Sequence, residues 1–184
     1  MLNIQLQQLP TIETKRLILR QQQVSDAPAL YELRTDENVM RYIDRQSPKN
    51  LQESEAVIED INRNVDKGLS MIWAITQKND TSRMIGNLGY WRTDLMNHRA
   101  EIGYMLHPDY WRQGILSEAL DPILKYGFQL GFHSICANIN PGNDASRQLL
   151  LKHGFIKEAY FKGDYYFNGK FLDSEIYGLL TDQP

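Results

Sequence analysis

Residues 101–119 read Glu101-Ile102-Gly103-Tyr104-Met105-Leu106-His107-Pro108-Asp109-Tyr110-Trp111-Arg112-Gln113-Gly114-Ile115-Leu116-Ser117-Glu118-Ala119. The run from Glu101 to Leu106 alternates and predicts a strand. Alternation puts Glu101, Gly103 and Met105 on one face and Ile102, Tyr104 and Leu106 on the other. A polar turn containing Gly114 follows, then a helical apolar pattern. A strand that feeds a glycine-marked helix start gathers backbone N–H groups at the positive end of a helix dipole. Such a nest binds anions and suits phosphate. Glycine matters there because a Cβ would hold a phosphate off the backbone.

The flanking sequence supplies the rest of a sheet. Upstream, Arg99 leads into the strand, and Met71–Gln77 and Met84–Thr93 predict a hairpin around the turn Asn79-Asp80-Thr81-Ser82. Lys15–Arg20 alternates and predicts a first strand. Ser25-Asp26 is placed to cap a helix carrying Ala29, Leu30 and Leu33. Val57, Ile58, Ile61 and Val65 share one face of a helix over 51–67, with Gly68 set to end it. Downstream, the helix after Gly114 turns Ala119, Leu120, Ile123, Leu124, Tyr126 and Leu130 inward. Pro122 lies inside this pattern, where it costs about 3 kcal/mol. Either the helix begins near Gly114 and kinks at the proline, or Asp121-Pro122 is a cap and first position and the helix is shorter. The longer helix is preferred, because the shorter one leaves a long structureless connection from His107. Ser134–Asn140 predicts a strand, and Asn143 caps a helix that stops before Gly154. Asn168-Gly169 marks a two-residue hairpin in the aromatic C-terminal sequence.

Bulk properties exclude several classes. The 184 residues suit one domain with a sizeable core, assigned to 13–184, behind a loose arm over 1–12. A net charge of −3 argues against a broad nucleic-acid footprint, so no direct nucleic-acid binding is expected. The single cysteine, Cys136, forbids an internal disulfide, and a reducing cytoplasm is the simplest home. No apolar run reaches membrane-spanning length. The four histidines show no ligand spacing, so no metal is expected.

The order strand, two helices, three strands, helix, strand, helix, then two or more strands resembles the GNAT superfamily of acetyl-CoA-dependent N-acetyltransferases. The segment around Gly114 is similar to that family's cofactor motif, Gln/Arg-x-x-Gly-x-Gly/Ala. The nearest resemblance is to the RimJ/RimL branch, which acetylates N-terminal amines of ribosomal proteins. Trp111 stands where Gln/Arg is usual and Leu116 where Gly/Ala is usual. The resemblance covers about Glu13 to Leu180. It implies an α/β fold with one central mixed, mostly antiparallel sheet and helices on both faces.

The resemblance also implies roles. Backbone groups of Met105 and Leu106 would pair with the pantetheine of acetyl-CoA. Arg112, Gln113, Gly114, Ile115, Leu116 and Ser117 would supply N–H groups to its pyrophosphate, and the Arg112 guanidinium can add a phosphate contact or stay solvated. Asn143 would contact the pantetheine end as well as cap its helix. Lys152 can reach the 3′-phosphate or remain a solvated helix-end lysine. Glu101 matches a base that works through water in related enzymes; otherwise it is a surface carboxylate paired with Arg99 or Arg92. The family's proton-donating tyrosine is replaced by Leu150, so Ser146, in Asn143-Asp144-Ala145-Ser146, is the leading substitute, with Tyr165 and Tyr166 behind it. Cys136 reads as a packing residue. The implied activity is direct acetyl transfer, with no acyl-enzyme, to the N-terminal amine of a protein, a ribosomal protein by default. A small-molecule amine acetyltransferase and a non-catalytic acyl-CoA-binding module are the alternatives. A monomer or a homodimer fits the sequence equally.

Overall fold

The computed structural model describes residue 2, residues 9–65 and residues 67–181. These form β1 (Ile12–Glu13), β2 (Leu17–Gln21), α1 (Ala27–Thr35), α2 (Glu37–Met40), α3 (Leu51–Val65), β3 (Met71–Gln77), β4 (Gly86–Asp94) and β5 (Arg99–Leu106). Then come α4 (Ile115–Gln129), β6 (Ser134–Ile139), α5 (Asp144–Lys152), β7 (Ile156–Phe167) and β8 (Lys170–Leu180). The eight strands make one sheet in the order β1-β2-β3-β4-β5-β6-β8-β7. Only β5 and β6 run parallel; every other pairing is antiparallel.

Strand alternation divides the core between the two faces. Trp73, Leu88, Tyr90, Ala100 and Ile102 pack with Ala119, Leu120 and Ile123 of α4 and Leu150 of α5. Ala74 and Met105 turn the other way, onto Ala27, Leu30 and Leu33 of α1 and Ile58 of α3. Helices therefore cover both faces, as the family resemblance implied. Asn168 and Gly169 both adopt positive φ, at 46° and 82°, and close the β7–β8 hairpin.

Local details differ from expectation near the start. Asp26 does not cap α1 with its side chain. Its buried carboxylate instead holds Arg20 through two bonds, at 2.7 and 2.8 Å, and accepts the Gln23 N–H at 2.8 Å. The ion pair outcompetes the cap and ties β2 to the helix start. A third helix, the single turn α2, was not foreseen; the Asp36 carboxylate caps it by accepting from the N–H groups of Asn38 and Val39. Within the expected arm, Leu9 is buried, Trp73 donates to the Pro10 carbonyl at 2.9 Å, and Ile12 pairs with Leu19. Residues 1 and 3–8 lie outside the described residues.

Helix α4 starts directly after Gly114 and runs through Pro122 without a break. Its far half packs tightly on the sheet. The buried Tyr90 hydroxyl donates to the Ile123 carbonyl at 2.6 Å. A Cβ at Gly127 would lie 2.0 Å from that hydroxyl oxygen.

One break in the ladder positions the site. The parallel pairing covers only Arg99–Glu101 against Ser134–Cys136. Beyond it, β5 continues along β4 and β6 continues along β8, so the sheet opens into a cleft.

Gly127→Ala is expected to destabilise the fold by about 1–3 kcal/mol, the range for overpacking a filled core. Urea unfolding of the purified variant measures it. An unchanged midpoint would show that Tyr90 can move aside at no cost.

Candidate active site

The cleft between β5 and β6 is a cavity of about 480 Å³. Residues Glu101 to Met105 form one wall and Ala137 to Asn140 the other, with Asn143 and Ser146 at the start of α5. Tyr165 of β7 and the loop over residues 42–45 close it from the sides.

Past the end of β5, the connecting loop makes a single 3-10 turn, Pro108–Tyr110, and then two left-handed residues, Arg112 (φ 58°) and Gly114 (φ 73°). The Gly114 conformation explains the glycine: the space beside it is open, with only Arg16 Nη2 at 3.7 Å, but an L side chain is strained there. The loop is held from behind. The Trp111 indole donates to the Leu106 carbonyl at 2.7 Å, Gln113 donates through its side chain to the Asp109 carbonyl, and Arg16 donates to the Gln113 carbonyl at 2.9 Å. Arg16 also pairs with Glu118 at 2.6 Å, and Glu118 accepts from Thr14 as well. Helix geometry leaves the N–H groups of Ile115, Leu116 and Ser117 without intrahelical carbonyls. Ile115 buries its side chain and Leu116 packs half-buried against the core. Arg112 is exposed beside these N–H groups. These features fit a bound pyrophosphate.

Ser117 carries a cluster that sequence reading did not anticipate. Its hydroxyl lies 2.9 Å from His153 Nε2 and 2.9 Å from Lys152 Nζ, and the other His153 nitrogen is 2.7 Å from Asp121. Lys152 and His153 end α5, so the fold alone brings them to α4. The Ser117–Asp121 spacing on one helix face was the available hint.

At the inner end, Ser146 is buried and its hydroxyl lies 2.6 Å from the Tyr104 hydroxyl. Asn143 caps α5 by accepting the Ser146 N–H at 3.1 Å. Burial pushes the Tyr104 phenol up to about 12, with the Ser146 hydrogen bond working against it. Leu150 is fully buried in the core. Glu101 lines the cavity with Arg92 3.5 Å away. Of the expected residues, Glu101, Met105, Asn143 and Ser146 line one cavity, whereas Arg112 to Ser117 sit at the loop and start of α4 beyond it, and Lys152 at the end of α5 reaches Ser117. Sequence reading assigned Tyr104 to the sheet face; its pairing with Ser146 across 42 residues had no local signal.

Residues 16–156 match the model of the acetyltransferase (GNAT) domain. The chain belongs to the GNAT acetyltransferases. The uncharacterized N-acetyltransferase YoaA of Bacillus subtilis (strain 168) is 34% identical over 172 residues, covering 93% of this chain and 97% of YoaA. The ribosomal-protein-serine acetyltransferase of Escherichia coli (strain K12) is 27% identical over 139 residues, 73% of this chain and 76% of that one. Among solved structures, the RimL ribosomal L7/L12 alpha-N-protein acetyltransferase in complex with coenzyme A superposes with a TM-score of 0.86 at 23% identity, covering 95% of this chain and all of that one.

The acetyltransferase braces its cleft with a buried carboxylate. Glu175 of β8 accepts from Lys157 at 2.6 Å, Arg147 at 3.1 Å and Tyr177 at 3.0 Å. Arg147 also donates to Asp144 and to the Pro141 carbonyl, so this network fixes the turn before Asn143 and Ser146. Burial alone would raise the Glu175 pKa, but the bonds from Lys157, Arg147 and Tyr177 outweigh it and hold the carboxyl below its ordinary range. Cys136 is buried, which raises its thiol against the pull of Arg99. Among the described residues no group of three or more His, Cys, Asp or Glu could hold a metal, and no helix is long and apolar enough to cross a membrane.

Because the folded Glu175 pKa is depressed, its stabilisation is present in full above the unfolded carboxylate value of about 4.3 and is lost as pH falls through the folded value. Unfolding free energies from pH 7 to pH 3 should therefore show the gap between the enzyme and Glu175→Gln narrowing on acidification. A gap constant with pH would remove Glu175 from the acid response.

Proposed function

We propose that this enzyme transfers the acetyl group of acetyl-CoA to the N-terminal amine of a protein, by direct attack while both substrates are bound. The ribosomal-protein acetyltransferases among its relatives make a ribosomal protein the first acceptor to try. The observation that carries the reading is the opened β5–β6 cleft, with the N–H nest of α4 beyond the end of β5 and Glu101, Ser146 and Tyr104 within the cleft.

Acetyl-CoA supplies a reactive thioester; the chain supplies position and proton traffic. The nest and Arg112 hold the pyrophosphate, and Ser117 with Lys152 extends the same polar surface. The open edge of β5 at Met105 and Leu106 offers backbone groups to the pantetheine; Trp111 occupies one lone pair of the Leu106 carbonyl and leaves the other. Asn143 stands at the mouth of α5. Attack forms the N–C bond and breaks the C–S bond, so the amine must lose a proton and the thiolate must gain one. Glu101 takes the first, directly or through water. The Ser146 hydroxyl gives the second and is replenished from Tyr104, the more acidic of the two hydroxyls. The arrangement replaces the tyrosine that Leu150 displaces. Leu116 packs half-buried against the core, which supports a nest open to the cosubstrate.

Calorimetric titration with acetyl-CoA, with ATP and NAD as controls, tests the first half. Selective binding of acetyl-CoA is expected, and equal binding of all three would reject the cosubstrate assignment. With an active acceptor, Glu101→Gln is expected to lower turnover at least tenfold at neutral pH while leaving acetyl-CoA affinity unchanged; full turnover would take Glu101 out of the mechanism.

Ser146→Ala and Tyr104→Phe should both lower kcat, with the serine variant the more impaired. Thiol release at several pH values reads this out. If Tyr104→Phe matches the parent enzyme throughout, the serine acts alone.

A further inference from the structure

We infer that the acceptor carries a carboxylate close to its reacting amine, and that Arg45 receives it beside Glu101. This rests on the acetyl-transfer reading and names the acceptor's chemistry within the same cleft.

Arg45 lies on a shelf that Gly103 and Trp91 build. Gly103 shares a strand face with Glu101, and a Cβ there would meet Trp91 at 2.5 Å. Glycine thus lets the Trp91 ring lie directly against β5. The Arg45 guanidinium stacks over that ring, 4.4 Å from its centre, and both side chains line the cavity. A planar cation fixed on an aromatic shelf is prepared for a two-pronged bond to a carboxylate.

Charge pairing then leaves Arg45 available. Three carboxylates line the cavity, and each is engaged elsewhere. Glu101 faces Arg92, Asp44 accepts the Tyr165 hydroxyl, and Asp164 accepts the Ser174 hydroxyl at 2.8 Å through either oxygen. Among the described residues the Arg45 guanidinium has no hydrogen bond and no ion pair.

A second cation makes the imbalance costly. Arg34 of α1 is more than nine-tenths buried, its Nε has no partner, and no carboxylate pairs with it among the described residues. Burial, and then the repulsion of Arg45, lowers its pKa to about 10. Arg45 is lowered by burial and by Arg92, with Glu101 acting in the opposite sense. Arg45 is itself exposed to the cavity, and a ligand anion beside it would offset the repulsion it exerts on the buried Arg34. Glu101 and Arg45 line the same cavity, so one small acceptor can set its amine at the carboxylate and its own carboxylate at the guanidinium. Two sources have this chemistry: a free α-amino acid, and a peptide with an acidic side chain beside its N-terminus.

Matched acceptor pairs test the inference by thiol release: amino acids against their amides, and short peptides with Glu at the second or third position against the same peptides with Gln. The carboxylate member of at least one set should be favoured at least tenfold in kcat/KM, mainly through KM, and the set that shows it identifies the source. In Arg45→Gln the ratio within that pair should fall toward one, and Arg45→Lys should restore part of it. Equal rates within every pair overturn the inference, as does a preference that survives in Arg45→Gln. These outcomes leave acetyl transfer intact. Absence of acetyl-CoA binding by calorimetry overturns that parent reading and this inference together.

Discussion

The parting of β5 from β6 after three residue pairs is the constraint on which the rest of this structure depends. A parallel pair that stops early leaves backbone donors and acceptors along two strand edges, and buried backbone groups cannot stay unpaired without cost. The protein keeps these edges apart with other contacts. On one side β4 carries the whole of β5 as far as Leu106. On the other β8 carries β6 as far as Ile139. Trp111 ties off the strand end, and the Tyr104–Ser146 bond spans from β5 to α5. The cleft is thus a gap whose two walls are separately braced, and an extended ligand with amide groups suits it as a missing strand would.

Charged residues brace the site from behind, which makes it sensitive to charge. Glu175 is buried, yet its three donors keep it ionised, and the same Arg147 that neutralises it clamps the turn into α5. Removing one partner would leave an uncompensated charge beneath the helix that carries Ser146. Arg16 plays the corresponding part for the nest, joining β2's approach to the Gln113 carbonyl and to Glu118. Neither support touches the space a substrate would fill. Each holds a helix start in place, and a helix start is where unpaired N–H groups are concentrated.

The fold was largely legible in the sequence because its signals are local. Alternation placed β3, β4 and β5, and it assigned Ile102 and Met105 to the correct opposite faces. Asn168-Gly169 specified the final hairpin, and the stretch before Gly114 specified where α4 begins. The short turn α2 escaped because its only signal is the Asp36 cap. The site was legible where it depends on backbone geometry, as at Gly114 and Asn143. It was not where two distant side chains meet. Tyr104 with Ser146, His153 with Ser117, and Arg45 with Trp91 are pairs made by the topology, and periodicity carries no information about them.

On the proposed mechanism, the Tyr104–Ser146 pair would stand in for the helix tyrosine that the family resemblance implies at the place of Leu150. A hydroxyl on Leu150's side of α5 would have to sit among the apolar residues that seal the helix to the sheet, where an unpaired polar group costs free energy. Moving the hydroxyls to the first turn of α5 and to the facing strand puts them at the cleft instead. The phenol's body packs on the core while its hydroxyl stays polar. The pairing also corrects a weakness of serine, which is a poor acid by itself. With a phenol at 2.6 Å, a proton given up by Ser146 on the proposed mechanism would be replaced from Tyr104, and the charge would rest on the group better able to bear it. A phenol is protonated at neutral pH even at its ordinary value, and burial raises Tyr104 further, so on the proposed mechanism the pair would start each cycle with a proton to give.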